Sequence, residues 1–277
     1  MIALHGFLGR PADWDVLRPL LPGVHLQAID LWRWFEQGGA RDWERAGRAL
    51  GECLTGDGDQ GGGAGAEDVA AGVPGASRDV ASAKVLLAYS FGARLALASV
   101  AGGGGGSAFD GVCLVSCNPG LAEEDREGRA ARRDSDEAWA RLLLEAPEEE
   151  IWRKWDAQPV LAAGSPAHVN RRVSATLPAE RQTLAHALRA FSLAGQPDFT
   201  PRLRRWTTPL LWVTGSADAK FTSMAETLAG ESVPASFAVC PGAGHRVPWD
   251  APEAFSAIFL SWLQQLGVEH VDDHQDL

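Results

Sequence analysis

Lys84-Val-Leu-Leu-Ala-Tyr-Ser90-Phe-Gly-Ala-Arg94-Leu-Ala-Leu-Ala-Ser-Val100 changes character at its midpoint. Up to Ser90 it is a short continuous apolar run, the pattern of a strand buried on both faces. From Phe91 it continues without a linker as an Ala/Leu-rich helix. At the junction, Ala88-Tyr-Ser90-Phe-Gly92 has Gly-x-Ser-x-Gly spacing with Ala in the first position. Small residues are required there because so sharp a turn brings the strand and helix backbones together. The turn presents the Ser90 hydroxyl at a helix N-terminus, where free amides stabilise negative charge. A serine at a strand end also simply caps helices, so its neighbours in the chain decide its role.

Outward from this junction the chain alternates. Ile2–Leu4 reads as a buried strand running into His5-Gly-Phe7-Leu-Gly9, and Val24–Asp30 as a second strand. Further strands are expected at Gly111–Ser116, Pro209–Gly215 and Ala235–Cys240. Helices are expected at Asp13–Leu21, at Arg41–Leu54 (apolar stripe Trp43, Ala46, Leu50, Cys53) and at Pro252–Leu266. Such alternation predicts an α/β fold, a mostly parallel sheet with helices on both faces. Residues 119–206 show only helical periodicity and many charges, so they read as a helical lid inserted into a core of residues 1–118 and 207–277. Residues 56–82 are rich in Gly, Ala and Asp and read as a flexible insertion within the core, with a shorter glycine connector at Gly102–Gly106.

Composition narrows the function. The 277 residues are 45% hydrophobic and 22% charged, enough for a sizeable core. A formal charge of −11 removes the phosphate attraction on which nucleic-acid binders rely. No window reaches the roughly 18 apolar residues that span a bilayer, so a cytoplasmic protein without membrane insertion is expected. Of the 25 basic residues only three are lysine, and there are 11 Trp against one Tyr. Cys53, Cys113, Cys117 and Cys240 form no CxxC pair. Cys113 and Cys117 on one strand would stand about 13 Å apart, so free thiols are expected. His270 and His274 have i, i+4 spacing but read as a polar tail rather than metal ligands.

Two further loops give Ser90 its context. Gly215-Ser-Ala-Asp218 follows one strand and Gly242-Ala-Gly-His245 the next, in the order Ser, Asp, His expected of an α/β-hydrolase fold. In isolation Asp218 is a turn residue and His245 a loop histidine. Together with Ser90, His245 would take the serine proton while Asp218 holds the imidazole. The backbone amides of Phe7 and Phe91 would form the oxyanion hole. Arg94, one helical turn after Ser90, lies on the same side of its helix.

The sequence resembles the α/β-hydrolase-fold 2-succinyl-6-hydroxy-2,4-cyclohexadiene-1-carboxylate (SHCHC) synthases of menaquinone biosynthesis, the MenH family. The resemblance rests on Leu4-His-Gly-Phe-Leu-Gly9, Tyr89-Ser-Phe-Gly-Ala-Arg94, Asn118-Pro-Gly-Leu121, Arg129-Ala-Ala-Arg-Arg-Asp-Ser-Asp136 with Trp139, and Trp155 with Gln158-Pro159. It continues through Ser192-Leu-Ala-Gly-Gln-Pro-Asp198, Gly215-Ser-Ala-Asp-Ala-Lys-Phe221 and Ala243-Gly-His245. It implies a lyase that eliminates pyruvate from an enolpyruvyl precursor, with no acyl-enzyme and no cofactor or metal. It also implies a small polycarboxylate substrate held by His5, Tyr89, Arg94, Arg132, Trp155 and a further lid arginine, Arg172 or its neighbour Arg171. Bidentate arginines suit such a ligand. The cluster around Arg132 reads equally as a solvated salt network, and Tyr89 equally as a packed strand residue.

The chain departs from the family in two respects. Asp30-Leu-Trp-Arg-Trp-Phe35 stands where relatives have Asp-Leu-Pro-Gly-His-Gly, and the N-terminal edge strands are reduced. A carboxylester hydrolase working through an acyl-serine is the alternative activity. A non-catalytic binding protein on the same fold is the third reading.

Overall fold

In the computed structural model, residues 1–38, 42–55, 83–102, 108–162 and 176–267 are described. Six strands, β1 (Ile2–Leu4), β2 (Gln27–Ile29), β3 (Val85–Tyr89), β4 (Gly111–Val115), β5 (Leu210–Gly215) and β6 (Ser236–Cys240), form one sheet in the order β2-β1-β3-β4-β5-β6. Every neighbouring pair is parallel. Among the described residues only β2 lies outside β1, the reduced edge that the sequence predicts.

The central strands are apolar throughout because both of their faces are covered. Leu86 and Ala88 of β3, Val112 and Leu114 of β4, and Leu210 and Trp212 of β5 join one core. Their alternates, Val85, Leu87 and Tyr89, then Cys113 and Val115, then Leu211 and Val213, join the other. The first core is completed by α2 (Trp43–Thr55), α3 (Phe91–Gly102) and the segment between β4 and β5. The second is completed by a helix at Pro11–Leu20 and by the C-terminal helix, through Trp14, Leu17, Phe255, Phe259 and Trp262.

Three expectations shift in detail. The helix at Pro11–Leu20 is 3-10 rather than α: Pro19 has no amide to donate, and Asp13 accepts from the Arg10 amide at the start. The second strand keeps only Gln27–Ile29 in register with β1. On α2 the buried stripe is Trp43, Ala46, Leu50 and Leu54, while Cys53 is exposed. All four cysteines are free thiols.

Residues between β4 and β5 build α4 (Arg126–Glu145), α5 (Glu148–Asp156), α6 (Pro159–Ala162), α7 (Arg181–Ala190) and α8 (Thr200–Leu203). Arg129 ties this segment together by donating to the carbonyls of Leu121, Ala122, Ala194 and Gln196. The 56–82 insertion, the connector beyond Gly102, Arg171, Arg172 and the His270/His274 pair lie outside the described residues. No helix among the described residues is long and apolar enough to cross a membrane.

Candidate active site

Ser90 sits between β3 and α3 with φ of 50°, a left-handed conformation that a non-glycine residue adopts at a cost. The turn is feasible because Gly92 has no side chain. A Cβ there would lie 2.4 Å from the His5 carbonyl oxygen and 2.8 Å from that of Leu4. Phe91 is the first residue of α3, so its amide has no acceptor within the helix.

The loops after β5 and β6 are bonded to one another, with Ser216 and Ala217 amides donating to the Cys240 and Ala243 carbonyls. This brings Asp218 to His245. Asp218 Oδ2 lies 2.7 Å from His245 Nδ1, while its Oδ1 accepts from the Phe221 amide and caps α9 (Ala219–Gly230). A carboxylate only accepts, so Nδ1 carries the proton and Nε2 is the acceptor for the Ser90 hydroxyl, 3.1 Å away. Both partners of the buried pair are almost solvent-free. Ser116, also at φ of 50°, donates from Oγ to the His245 carbonyl at 2.8 Å and fixes the histidine from behind.

A cavity of about 930 Å³, including the space at its open mouth, lies over Ser90 and His245. Phe7, Tyr89, Phe91, Arg94, Arg132 and Trp155 line it, all expected from the sequence. Among the described residues, four of its lining side chains are cationic, Arg94, Arg132, Lys220 and Arg246, and none is a carboxylate.

Arg94 is buried, donates to the Phe191 carbonyl at 2.8 Å and lies over the rings of Trp43 and Phe91. Among the described residues no carboxylate pairs with it. Burial, and then the charge of Arg132, push its pKa down to about 10, so it remains a cation at neutral pH. Arg132 forks onto the buried Asp136 through Nε at 2.9 Å and Nη2 at 2.7 Å. Trp155 of α5 packs against Phe7, with ring centroids 5.3 Å apart. Trp32 donates from Nε1 to the Gly9 carbonyl, and its ring touches both Phe7 and Phe91.

His5 does not reach the cavity, contrary to the substrate contact expected of it. It is fully buried, and Nε2 accepts the Leu31 amide while Nδ1 bonds the Gly6 carbonyl, so it joins the loop after β1 to the start of α1 (Leu31–Glu36). Arg172 falls outside the described residues. Sequence reasoning gave no role to Ser116, Asn118, Gln158 or Arg246, all of which line the cavity. Their signals were present: Asn118 and Gln158 stand in the stretches that carry the resemblance, and Arg246 follows His245 directly.

A parallel sheet with serine, aspartate and histidine meeting above its strand ends defines the hydrolase-fold class, and the family model described as alpha/beta hydrolase family matches residues 1–258. The chain belongs to the alpha/beta hydrolase family. A 2-succinyl-6-hydroxy-2,4-cyclohexadiene-1-carboxylate synthase of Klebsiella pneumoniae subsp. pneumoniae is 34% identical over 172 residues, 62% of this chain and 65% of that enzyme. A protein of the same name from Salmonella newport is 32% identical over 167 residues, 60% of this chain and 63% of that one. The chain thus spans just under two thirds of the length of these relatives. Among solved structures, MenH from S. aureus superposes with a TM-score of 0.71 at 20% identity, covering 96% of this chain and 93% of that one. A thermophilic esterase from Thermogutta terrifontis gives 0.60 at 20% identity over 96% and 89%. Both structural likenesses concern the fold alone.

Proposed function

We propose that the chain is a carbon–oxygen lyase of the SHCHC synthase type, acting on a small substrate with several carboxylates. The observation that carries this reading is the cavity charge: four cations and no carboxylate among the described residues that line it, in a chain of net charge −11. A neutral ester needs no such lining, whereas a polyanion entering a partly dry site does. The similarity to synthases from Klebsiella and Salmonella supports the same reading.

Ser90 Oγ removes a proton from a ring carbon of the substrate as its own proton passes to His245 Nε2, with Asp218 balancing the imidazolium. The ring C–H electrons form the new C=C bond, and the C–O bond to the enolpyruvyl group breaks. The departing enolate takes up the proton held by the His245 imidazolium and becomes pyruvate, which restores the neutral histidine. The amides of Phe7 and Phe91 stabilise negative charge that develops during the step. Arg94 and Arg132 hold carboxylates, and Tyr89 and Trp155 shape the walls. Residues 119–206 act as the lid. No metal or organic cofactor enters the step.

The test is release of pyruvate from the enolpyruvyl precursor by purified protein, with Ser90→Ala as control. Turnover that the control lacks supports the lyase; equal release in both sinks it. A hydrolase is the second reading: Ser90 is held at φ of 50° beside the first amide of α3, a geometry equally suited to an acyl-serine. Turnover of neutral esters with an acyl group trapped on Ser90 would establish that alternative.

A further inference from the structure

Two of the cavity's arginines are buried, and each closely follows one member of the Ser90–His245 pair in sequence. Arg94 follows Ser90 by one helical turn and is 9% exposed; Arg246 follows His245 directly and is 3% exposed. A guanidinium has five N–H donors. Among the described residues, the Arg94 guanidinium gives one hydrogen bond, to the Phe191 carbonyl, and that of Arg246 gives one, from Nη2 to Asp156 Oδ1 at the end of α5. Water has little access to either side chain, and the donors not used in these bonds are available to a ligand in the cavity. Both line the same cavity.

Asp156 itself keeps 13% of its side-chain exposure and is the residue after Trp155, which packs on Phe7. Its carboxylate therefore neutralises Arg246 from the α5 side while the arginine faces the cavity. We propose that Arg246 is a second carboxylate subsite, placed on the His245 side of the reacting centre, and that Asp156 competes with the ligand for it. A ligand with one carboxylate on Arg94 and another on Arg246 would lie across Ser90 and His245, an orientation that a single anchor cannot impose. This inference rests on the polycarboxylate reading above, but its test requires no turnover.

The probes are propane-1,2,3-tricarboxylate and butyrate, titrated calorimetrically into the full chain and into Arg246→Met, Asp156→Asn and the double variant. Arg246→Met is expected to weaken the tricarboxylate at least tenfold and butyrate less than twofold. Asp156→Asn is expected to tighten the tricarboxylate at least threefold, and that gain should vanish in the double variant. If Arg246 only latches α5 to the loop after β6, Asp156→Asn weakens both acids as Arg246→Met does, and the subsite is overturned. An unchanged tricarboxylate affinity in either single variant, or no binding by the parent chain, overturns it as well. Should Arg246→Met fail to fold, the double variant, which leaves no unpaired charge, decides alone: it must lack the gain seen in Asp156→Asn. Selective tricarboxylate binding without pyruvate release would leave the subsite standing and remove the lyase.

Discussion

Trp32 Nε1 donates to the Gly9 carbonyl at 2.8 Å, while its ring lies 5.3 Å from that of Phe7 and 6.1 Å from that of Phe91. One side chain thus holds both residues whose amides form the proposed oxyanion hole. Trp32 does so from within the Asp30–Phe35 stretch. Trp32→Phe keeps an aromatic ring and loses one buried hydrogen bond, a cost of about 1 kcal/mol. The expected result is a kcat about tenfold lower with KM within twofold, measured in the pyruvate assay. A rise in KM alone would mean that Trp32 shapes binding instead.

Arg94 provides a pH signature. Its pKa is lowered to about 10 by burial and by Arg132, so as pH rises the native chain releases this proton before the unfolded chain does. Affinity for propane-1,2,3-tricarboxylate is therefore expected to be level from neutral pH to about 9 and to fall through 10. Stability runs the other way: charging a buried guanidinium opposes folding, so this group's contribution improves between about 10 and the ordinary arginine value. Calorimetric titrations at pH 7, 9 and 10.5 check the binding arm, and Arg94→Met must abolish the step.

Removing Arg132 strands a carboxylate. Asp136 is 3% exposed and Arg132 39%, so the pair is solvated from one side only. Arg132→Ala is expected to destabilise the chain by roughly 1–3 kcal/mol, less than for a fully buried pair. Adding Asp136→Ala should recover most of the loss in urea denaturation, whereas additive losses would show that the two residues act separately.

Gly92→Ala places a methyl group against backbone that cannot swing aside, 2.4 Å from the His5 carbonyl oxygen. Overpacking of this kind costs about 1–3 kcal/mol. Because Gly92 is two residues from Ser90, activity should fall further than the unfolding curve predicts. A variant as stable and active as the parent would show that α3 can move away from β1 freely.

The sheet was largely legible because a strand covered on both faces is apolar at every position, as Val85–Tyr89 is, and because Ser90 and Gly92 mark where the period changes. The order of Ser90, Asp218 and His245 was legible for the same reason: each follows a recognisable strand. What eluded the sequence depends on approach between distant segments. Arg246 meets Asp156 across 90 residues, and Ser116 meets the His245 carbonyl across 129; no local pattern encodes either. His5 misled because the residue type suits a ligand contact, while its ring is consumed in bonding two loops together.

The placement of the helical segment between β4 and β5 has a bearing on how the chain folds. Val112 pairs with Leu210 and Val115 with Val213, so two adjacent strands of the sheet are separated by nearly a hundred residues. Closing so long a loop carries an entropy that must be overcome before those pairings return anything. Asp218 and His245 lie still later, on loops that follow β5 and β6. A nascent chain can therefore form the β3–α3 turn and place its serine early, but the serine has no proton acceptor until the last two strands have docked. Synthesis thus runs most of its course with the nucleophile built and idle.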